Sequence, residues 1–243
     1  MEQETNMKNN LVSIVLPTYN EKDNICFLVA EIHEKLLEYN HEILVVDDNS
    51  PDGTFKILQE LNYPFIRPIL RTYDKGFANS IRCGIENAKG DTIIIMDSDF
   101  NHQPKYLVFM IESLKFYDCI LASRFVYGGD MGNRARHLMS WIFNIFVRLM
   151  TGGKVTDSLY GFIAIKRDTM KEIIYDNVFW GYGDYCIRLV YYLQKNGVSI
   201  LQYPAVNGKR FAGEGNSRFL KVFKQYFMAV LKLAYKIKLQ RNV

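Results

Sequence analysis

The sequence predicts an α/β domain with a mostly parallel central sheet flanked by helices. Three observations carry this expectation. Short, nearly continuous apolar runs are rich in Ile and Val, helical patterns alternate with them, and acidic clusters stand where runs stop. Continuous apolar runs describe strands covered on both faces, and strand–helix repetition implies parallel pairing through right-handed crossovers. In such sheets ligands bind outside the carboxyl ends of the strands.

The first run, LVSIVLP (11–17), stops at Pro17 and gives way to a helical pattern over 22–39. EILVVDD (42–48) follows, closed by Asp47 and Asp48, and then a helix over 54–61 that Asp52 or Gly53 could cap. A helix over 77–88 leads into TIIIMDSD (92–99). Another over 105–116, with Pro104 suited to its first turn, leads into CILAS (119–123). The second half is less regular. It holds an apolar helix over 136–150, a strand over 161–167, a helix over 182–196, a strand over 198–204 and a glycine-rich loop, NGKRFAGEGNSR. No repeat or low-complexity linker divides the chain. The expected organisation is a disordered N-terminus (1–10), one domain over 11–215 and a basic amphipathic helix over 216–243.

With 49% hydrophobic residues, 243 residues suffice for a substantial core. A net charge of +4 hides an asymmetry. Seven of the 30 Lys and Arg residues lie from Gly215 onward, and none of the 26 acids does. Nothing here points to a nucleic-acid partner. The four cysteines are scattered without a C-x-x-C pair, as small buried thiols in a reducing compartment would be. The polar N-terminus is unlike a secretory signal, and no run reaches the roughly 18 apolar residues of a membrane span. The expected location is cytoplasmic, peripheral on the inner membrane face.

The chemistry concentrates in Asp97-Ser98-Asp99. On an extended backbone, carboxylates at i and i+2 point to one side, where they repel and lose hydration. A divalent cation resolves the conflict: Mg²⁺ or Mn²⁺ takes oxygen ligands, completed by substrate phosphates and water. The bland alternative is a cap or an Asx turn. Neither of the glycine-rich nucleotide signatures, G-x-G-x-x-G or the P-loop, is present. Tyr19 could instead stack on a base or ribose, and Asn20 or Glu21 could cap the next helix or bond a nucleotide.

In order and spacing, VSIVLPTYNEKDNI, EILVVDDNSPDGT, GDTIIIMDSDFNHQPKYL and LASRF resemble the inverting nucleotide-sugar glycosyltransferases of the GT-A fold. Within these they are most similar to the dolichyl-phosphate mannose synthase and polyprenyl-phosphate glycosyltransferase branch. The resemblance covers residues 11–218 and implies roles by position. Pro17, Tyr19, Glu21, Val46 and Asp48 would line the nucleoside pocket, with Ser98 by the ribose. Asp97 and Asp99 would hold the metal, with Asn101 where close relatives place a metal-binding Gln. Arg124 would sit near the diphosphate or sugar. In KRFAGEGNSRF, Arg210, Gly213, Glu214, Ser217 and Arg218 match the branch's Arg-x-x-Gly-Glu-Ser-Lys loop, whose Arg and Lys clamp phosphates. Three departures stand out. Gly215-Asn216 are inserted and Arg218 replaces Lys. Trp141 replaces the second Arg of an acceptor-side motif matched at Arg136, Ser140 and Asn144. Ile187 falls where the mannose synthases have the Glu of a Gln-x-Glu.

The acceptor decides the role of Asp184. A sugar hydroxyl must lose a proton, so a carboxylate within hydrogen-bond reach is expected, with Asp184 as catalytic base. A lipid phosphate is already an anionic nucleophile, and Asp184 then caps a helix or orients substrate, the preferred reading. The resulting expectation is metal-dependent transfer of a hexose from a GDP- or UDP-sugar to polyprenyl or dolichyl phosphate. Transfer to a glycan or glycolipid hydroxyl in cell-surface polysaccharide synthesis is the alternative. From Phe219 to Ile237 apolar residues recur at helical spacing among lysines. This stretch lies either on an anionic membrane surface or packed on the domain.

Overall fold

The computed structural model describes residues 10–208 and 219–241. One seven-stranded sheet forms the centre. In chain order the strands are β1 (Val12–Thr18), β2 (His41–Asp47), β3 (Ile66–Leu70), β4 (Thr92–Ile95), β5 (Cys119–Ser123), β6 (Ile163–Lys166) and β7 (Ile200–Pro204). They lie side by side as β3-β2-β1-β4-β6-β5-β7. Only β6 is antiparallel to its neighbours, β4 and β5. The other pairs, β1 with β2 and β4, β2 with β3, and β5 with β7, are parallel. The mostly parallel sheet is therefore the one the apolar runs imply.

Eight α-helices complete the described residues: α1 (Lys22–Lys35), α2 (Thr54–Leu61), α3 (Phe77–Asn87), α4 (Leu107–Ser113), α5 (Arg134–Thr151), α6 (Arg167–Lys171), α7 (Tyr185–Lys195) and α8 (Phe219–Arg241). Two apolar layers cover the sheet. Ile14, Leu16, Ile43, Val45 and Ile94 face Ile25, Leu28 and Ile32 of α1 and Met110 and Ile111 of α4 on one side. Val15, Leu44, Ile93 and Ile95 face Ile81 and Ile85 of α3 and Leu189 and Leu193 of α7 on the other. Helix α3 comes so close that a Cβ on Gly84 would strike Val15 and crowd Val46.

Two strand readings change. The sequence reading passed over β3, whose run is broken by Pro68. It is an edge strand, where a residue without an N–H costs no ladder bond. Strand β4 is shorter than expected: it ends at Ile95, and Met96 N–H makes a last bond to the Val15 carbonyl. Asp97-Ser98-Asp99 therefore forms a bend that ends in Phe100 at φ +66°, and strand alternation does not set where its carboxylates point.

Candidate active site

Parallel strands bring their carboxyl ends to one edge, and the candidate residues follow from it. Tyr19 and Glu21 leave β1, Asp48 leaves β2, the Asp97–Asp99 bend leaves β4 and Arg124 leaves β5. Because β6 runs the other way, the segment that enters it, Asp157–Tyr160, meets the same edge.

The bend is held from both sides. Ser98 Oγ donates to the Pro17 carbonyl at 2.9 Å, tying the bend to the end of β1. Asp97 N–H donates to Nδ1 of buried His102 at 2.8 Å, and His102 Nε2–H donates to the Tyr160 carbonyl at 2.8 Å. Both ring nitrogens are thus assigned to a neutral imidazole. Burial drives its pKa down to about 3, and the Asp97 carboxylate 3.5 Å away gains no cationic partner from it. Asp99 accepts from Asn101 N–H at 3.1 Å and from Asn101 Nδ2 at 2.7 Å. Asn101 here holds a carboxylate, where the resemblance implied a metal ligand. Tyr182, partly exposed, has its pKa raised by burial and then by the charges of Asp97 and Asp99.

Asp97 and Asp99 are both partly solvent-accessible. Among the described residues no group of three His, Cys, Asp or Glu side chains converges on a metal position. Two hard oxygen donors without thiolate or free imidazole suit Mg²⁺ or Mn²⁺ shared with substrate oxygens, so the residues fit that group.

The other candidate residues differ in burial and in partners. Tyr19 is exposed, as a stacking ring must be. Val46 is wholly buried and packs toward Gly84 of α3. Glu21 is buried and accepts from Asn24 Nδ2 of α1. Pro17 and Ser98 are also buried, with the Ser98 hydroxyl engaged by the sheet. Asp48 is buried in an ion pair with Arg71 (Nη1–Oδ1 2.6 Å). It also accepts from Ser80 Oγ at 2.7 Å and from Gly76 N–H at 2.7 Å.

Arg124, expected near the diphosphate or sugar, is buried in a two-pronged pair with Asp157: Nε to Oδ2 at 2.7 Å and Nη2 to Oδ1 at 2.9 Å. Its guanidinium lies 4.7 Å from the Tyr160 ring centroid. Burial, the largest single influence, would lower its pKa, but the Asp157 charge and hydrogen bonds, with smaller contributions, together outweigh this and raise it. Arg124 is therefore a fixed cation. Asp184 holds the N-cap position of α7 but makes no capping bond. It pairs with buried Arg188 and accepts from Tyr182 N–H and from Gln225 Nε2 of α8, each at 2.9 Å. Burial lowers the Arg188 pKa, and the Asp184 bond and charge restore it only in part. Ile187 packs in the apolar seam between α5, α7 and α8. Arg210, Gly213, Glu214, Ser217 and Arg218 lie outside the described residues.

Sequence reading missed Arg71, His102, Asp157 and Tyr182. Arg71 follows the overlooked β3. Asp157 opens DSLYGF just before β6, and a lone Asp before a strand gives no sign of a partner 33 residues away.

The model of glycosyl transferase family 2 matches residues 13–174. The chain belongs to that family. It is thus a glycosyltransferase with the GT-A fold its motifs resemble. A dolichol-phosphate mannosyltransferase of Pyrococcus furiosus is 29% identical over 238 residues, 91% of this chain and 63% of the relative. The chain thus spans less than two thirds of that longer protein. An undecaprenyl-phosphate mannosyltransferase of Micrococcus luteus is 30% identical over 212 residues, 84% of this chain and 86% of the relative. Among solved structures, glucosyl-3-phosphoglycerate synthase of Mycobacterium tuberculosis with Mn²⁺, UDP and glucosyl-3-phosphoglycerate superposes with a TM-score of 0.73. It is 19% identical and the match covers 96% of this chain and 83% of that one.

Proposed function

We propose that this glycosyltransferase moves a hexose from a GDP- or UDP-sugar to a polyprenyl phosphate at the cytosolic membrane face. The observation that carries the acceptor is the state of Asp184. With Arg188, Gln225 and the Tyr182 amide on its oxygens and only 1% exposure, it is engaged in the interior and not open to a sugar hydroxyl. A phosphate acceptor needs no base. The names of the polyprenol-linked relatives support the same acceptor class.

Tyr19 offers its exposed ring to the base or ribose, and Asp97 and Asp99 would hold Mg²⁺ or Mn²⁺, with Asn101 and Ser98 fixing the bend. Such a cation would supply positive charge for the departing diphosphate. Arg124, immobilised by Asp157, adds a preorganised positive charge at the same edge. Arg210 and Arg218 complete the phosphate contacts by analogy with the branch's loop. Asp184 keeps Tyr182 in place through its backbone.

A panel of nucleotide sugars, with Mn²⁺ or Mg²⁺ and with or without a short polyprenyl phosphate, tests this by diphosphate release. Release that requires both metal and lipid phosphate is expected, as is transfer that persists in Asp184→Asn. Turnover with saccharide acceptors alone, abolished by Asp184→Asn, defeats the acceptor assignment.

A further inference from the structure

The acidic bend after β4 runs into a strained residue. Phe100 stands at φ +66°, a conformation that an aromatic residue keeps only where its surroundings hold it. Much of that hold comes from the segment that enters β6. Tyr160 donates its hydroxyl to the Asn101 carbonyl at 3.0 Å. Its own carbonyl accepts from His102, whose other ring nitrogen accepts the Asp97 N–H. One residue thus grips the bend on both sides of Phe100. Tyr160 is buried, and burial raises its pKa, which keeps the hydroxyl a donor.

The same residue faces the fixed cation of the site. Its ring centroid lies 4.7 Å from the Arg124 guanidinium, which Asp157 of the same segment holds. Asp157 also accepts the Arg124 N–H at 3.1 Å. Ser158 donates its N–H to Oδ1 of buried Asn144 of α5 at 2.8 Å, and Asn144 Nδ2 donates to the Ser140 carbonyl, which fixes the amide. Thr156 is hydrogen-bonded to Ser123 of β5 and Gln202 of β7. Segment 156–160 is therefore anchored on α5, β5 and β7 before it reaches the bend. The Asn101 carbonyl also accepts from Gly208 N–H at 2.9 Å, so it keeps a partner when the Tyr160 hydroxyl is removed. Loss of that hydroxyl should disturb the placement of the bend more than the stability of the fold.

We infer that Tyr160 is a positioning residue that sets the acidic bend against Arg124 and so governs how tightly a divalent cation is held together with a nucleoside diphosphate. The inference rests on the assignment of Asp97 and Asp99 to the cation and is independent of the acceptor. Groups that orient metal ligands from outside the ligand shell typically change metal affinity by roughly tenfold or more.

The test is calorimetric titration of the full chain with GDP and with UDP, each with and without Mn²⁺, beside urea denaturation. The wild type should bind one of the two more tightly when Mn²⁺ is present. Tyr160→Phe, which keeps the ring over Arg124, should lose about tenfold of the affinity measured with Mn²⁺. Its metal-free nucleotide affinity and its urea midpoint should stay close to those of the wild type. Equal affinities in the two proteins overturn the inference. So does an equal loss with and without Mn²⁺, the mark of a merely structural residue. A wild type indifferent to Mn²⁺ overturns the metal assignment and the inference with it. The expected loss in Tyr160→Phe, without lipid-dependent turnover of any donor, would sink the acceptor reading and leave the role of Tyr160 standing.

Discussion

Two acidic clusters end neighbouring strands of the same sheet, and the structure treats them in opposite ways. Asp47 and Asp48 close β2 in full burial. Asp47 accepts from the Ser50 amide and hydroxyl, and Asp48 from Arg71, Ser80 and the Gly76 amide. Asp97 and Asp99 follow β4 and remain partly open to solvent. His102, the ring nearest to them, is kept neutral by burial. The first cluster carries its own counter-charge, so its acids serve the fold. The second stays at the open edge of the sheet, where a ligand can reach it. An acidic strand end is therefore informative only once its burial is known.

The sharpest way to break the contrast is to neutralise one acid of each cluster. Asp99→Asn should lower metal-dependent diphosphate release by about 10³-fold, on the order of 4 kcal/mol at the barrier. Its urea midpoint should stay close to that of the wild type. Asp48→Asn should do the reverse to stability. With Arg71 left unpaired in the interior, urea denaturation should show a loss of roughly 3 kcal/mol, the usual cost of breaking a buried pair. A comparable loss in Asp99→Asn would mean that the exposed cluster is structural after all.

Smaller changes sharpen the comparison. Asn101→Ala removes the side-chain amide that steadies Asp99 and should raise the Mn²⁺ concentration needed for half-maximal rate, with about 1 kcal/mol or less lost in stability. Ser80→Ala removes one donor to Asp48 and should cost about 1 kcal/mol in stability without altering that Mn²⁺ requirement. If the two variants exchanged these effects, the division between the clusters would be wrong.

Strand and helix alternation was legible because apolar runs and helical spacing are local properties. The site edge was legible because parallel strands put their ends together. The partners were not. Arg71 was hidden behind Pro68, which makes an edge strand look like a loop. Arg124 and Asp157 meet only because β6 reverses direction between β4 and β5, and no local pattern announces that. For Val46 and Glu21 the resemblance implied pocket positions; Val46 packs toward Gly84 of α3 and Glu21 bonds Asn24 of α1, and sequence position does not give orientation at a strand end. The C-terminal segment offered two readings, and its apolar stripe follows the packed one because α5 and α7 present matching surfaces.

Gly183 shows what that packing entails. Tyr226 sits with its hydroxyl where a side chain on Gly183 would begin, and Gln225 beside it bonds Asp184. The loop that carries Asp184 is thus finished by residues about 40 positions further along the chain. During synthesis the sheet can assemble early, but this loop acquires its last partners only after residues 225 and 226 have been made. A shortened chain that stops before α8 would keep the strands and their acids. It would lose the wall that holds Asp184 and Tyr182, and with it a competent catalyst.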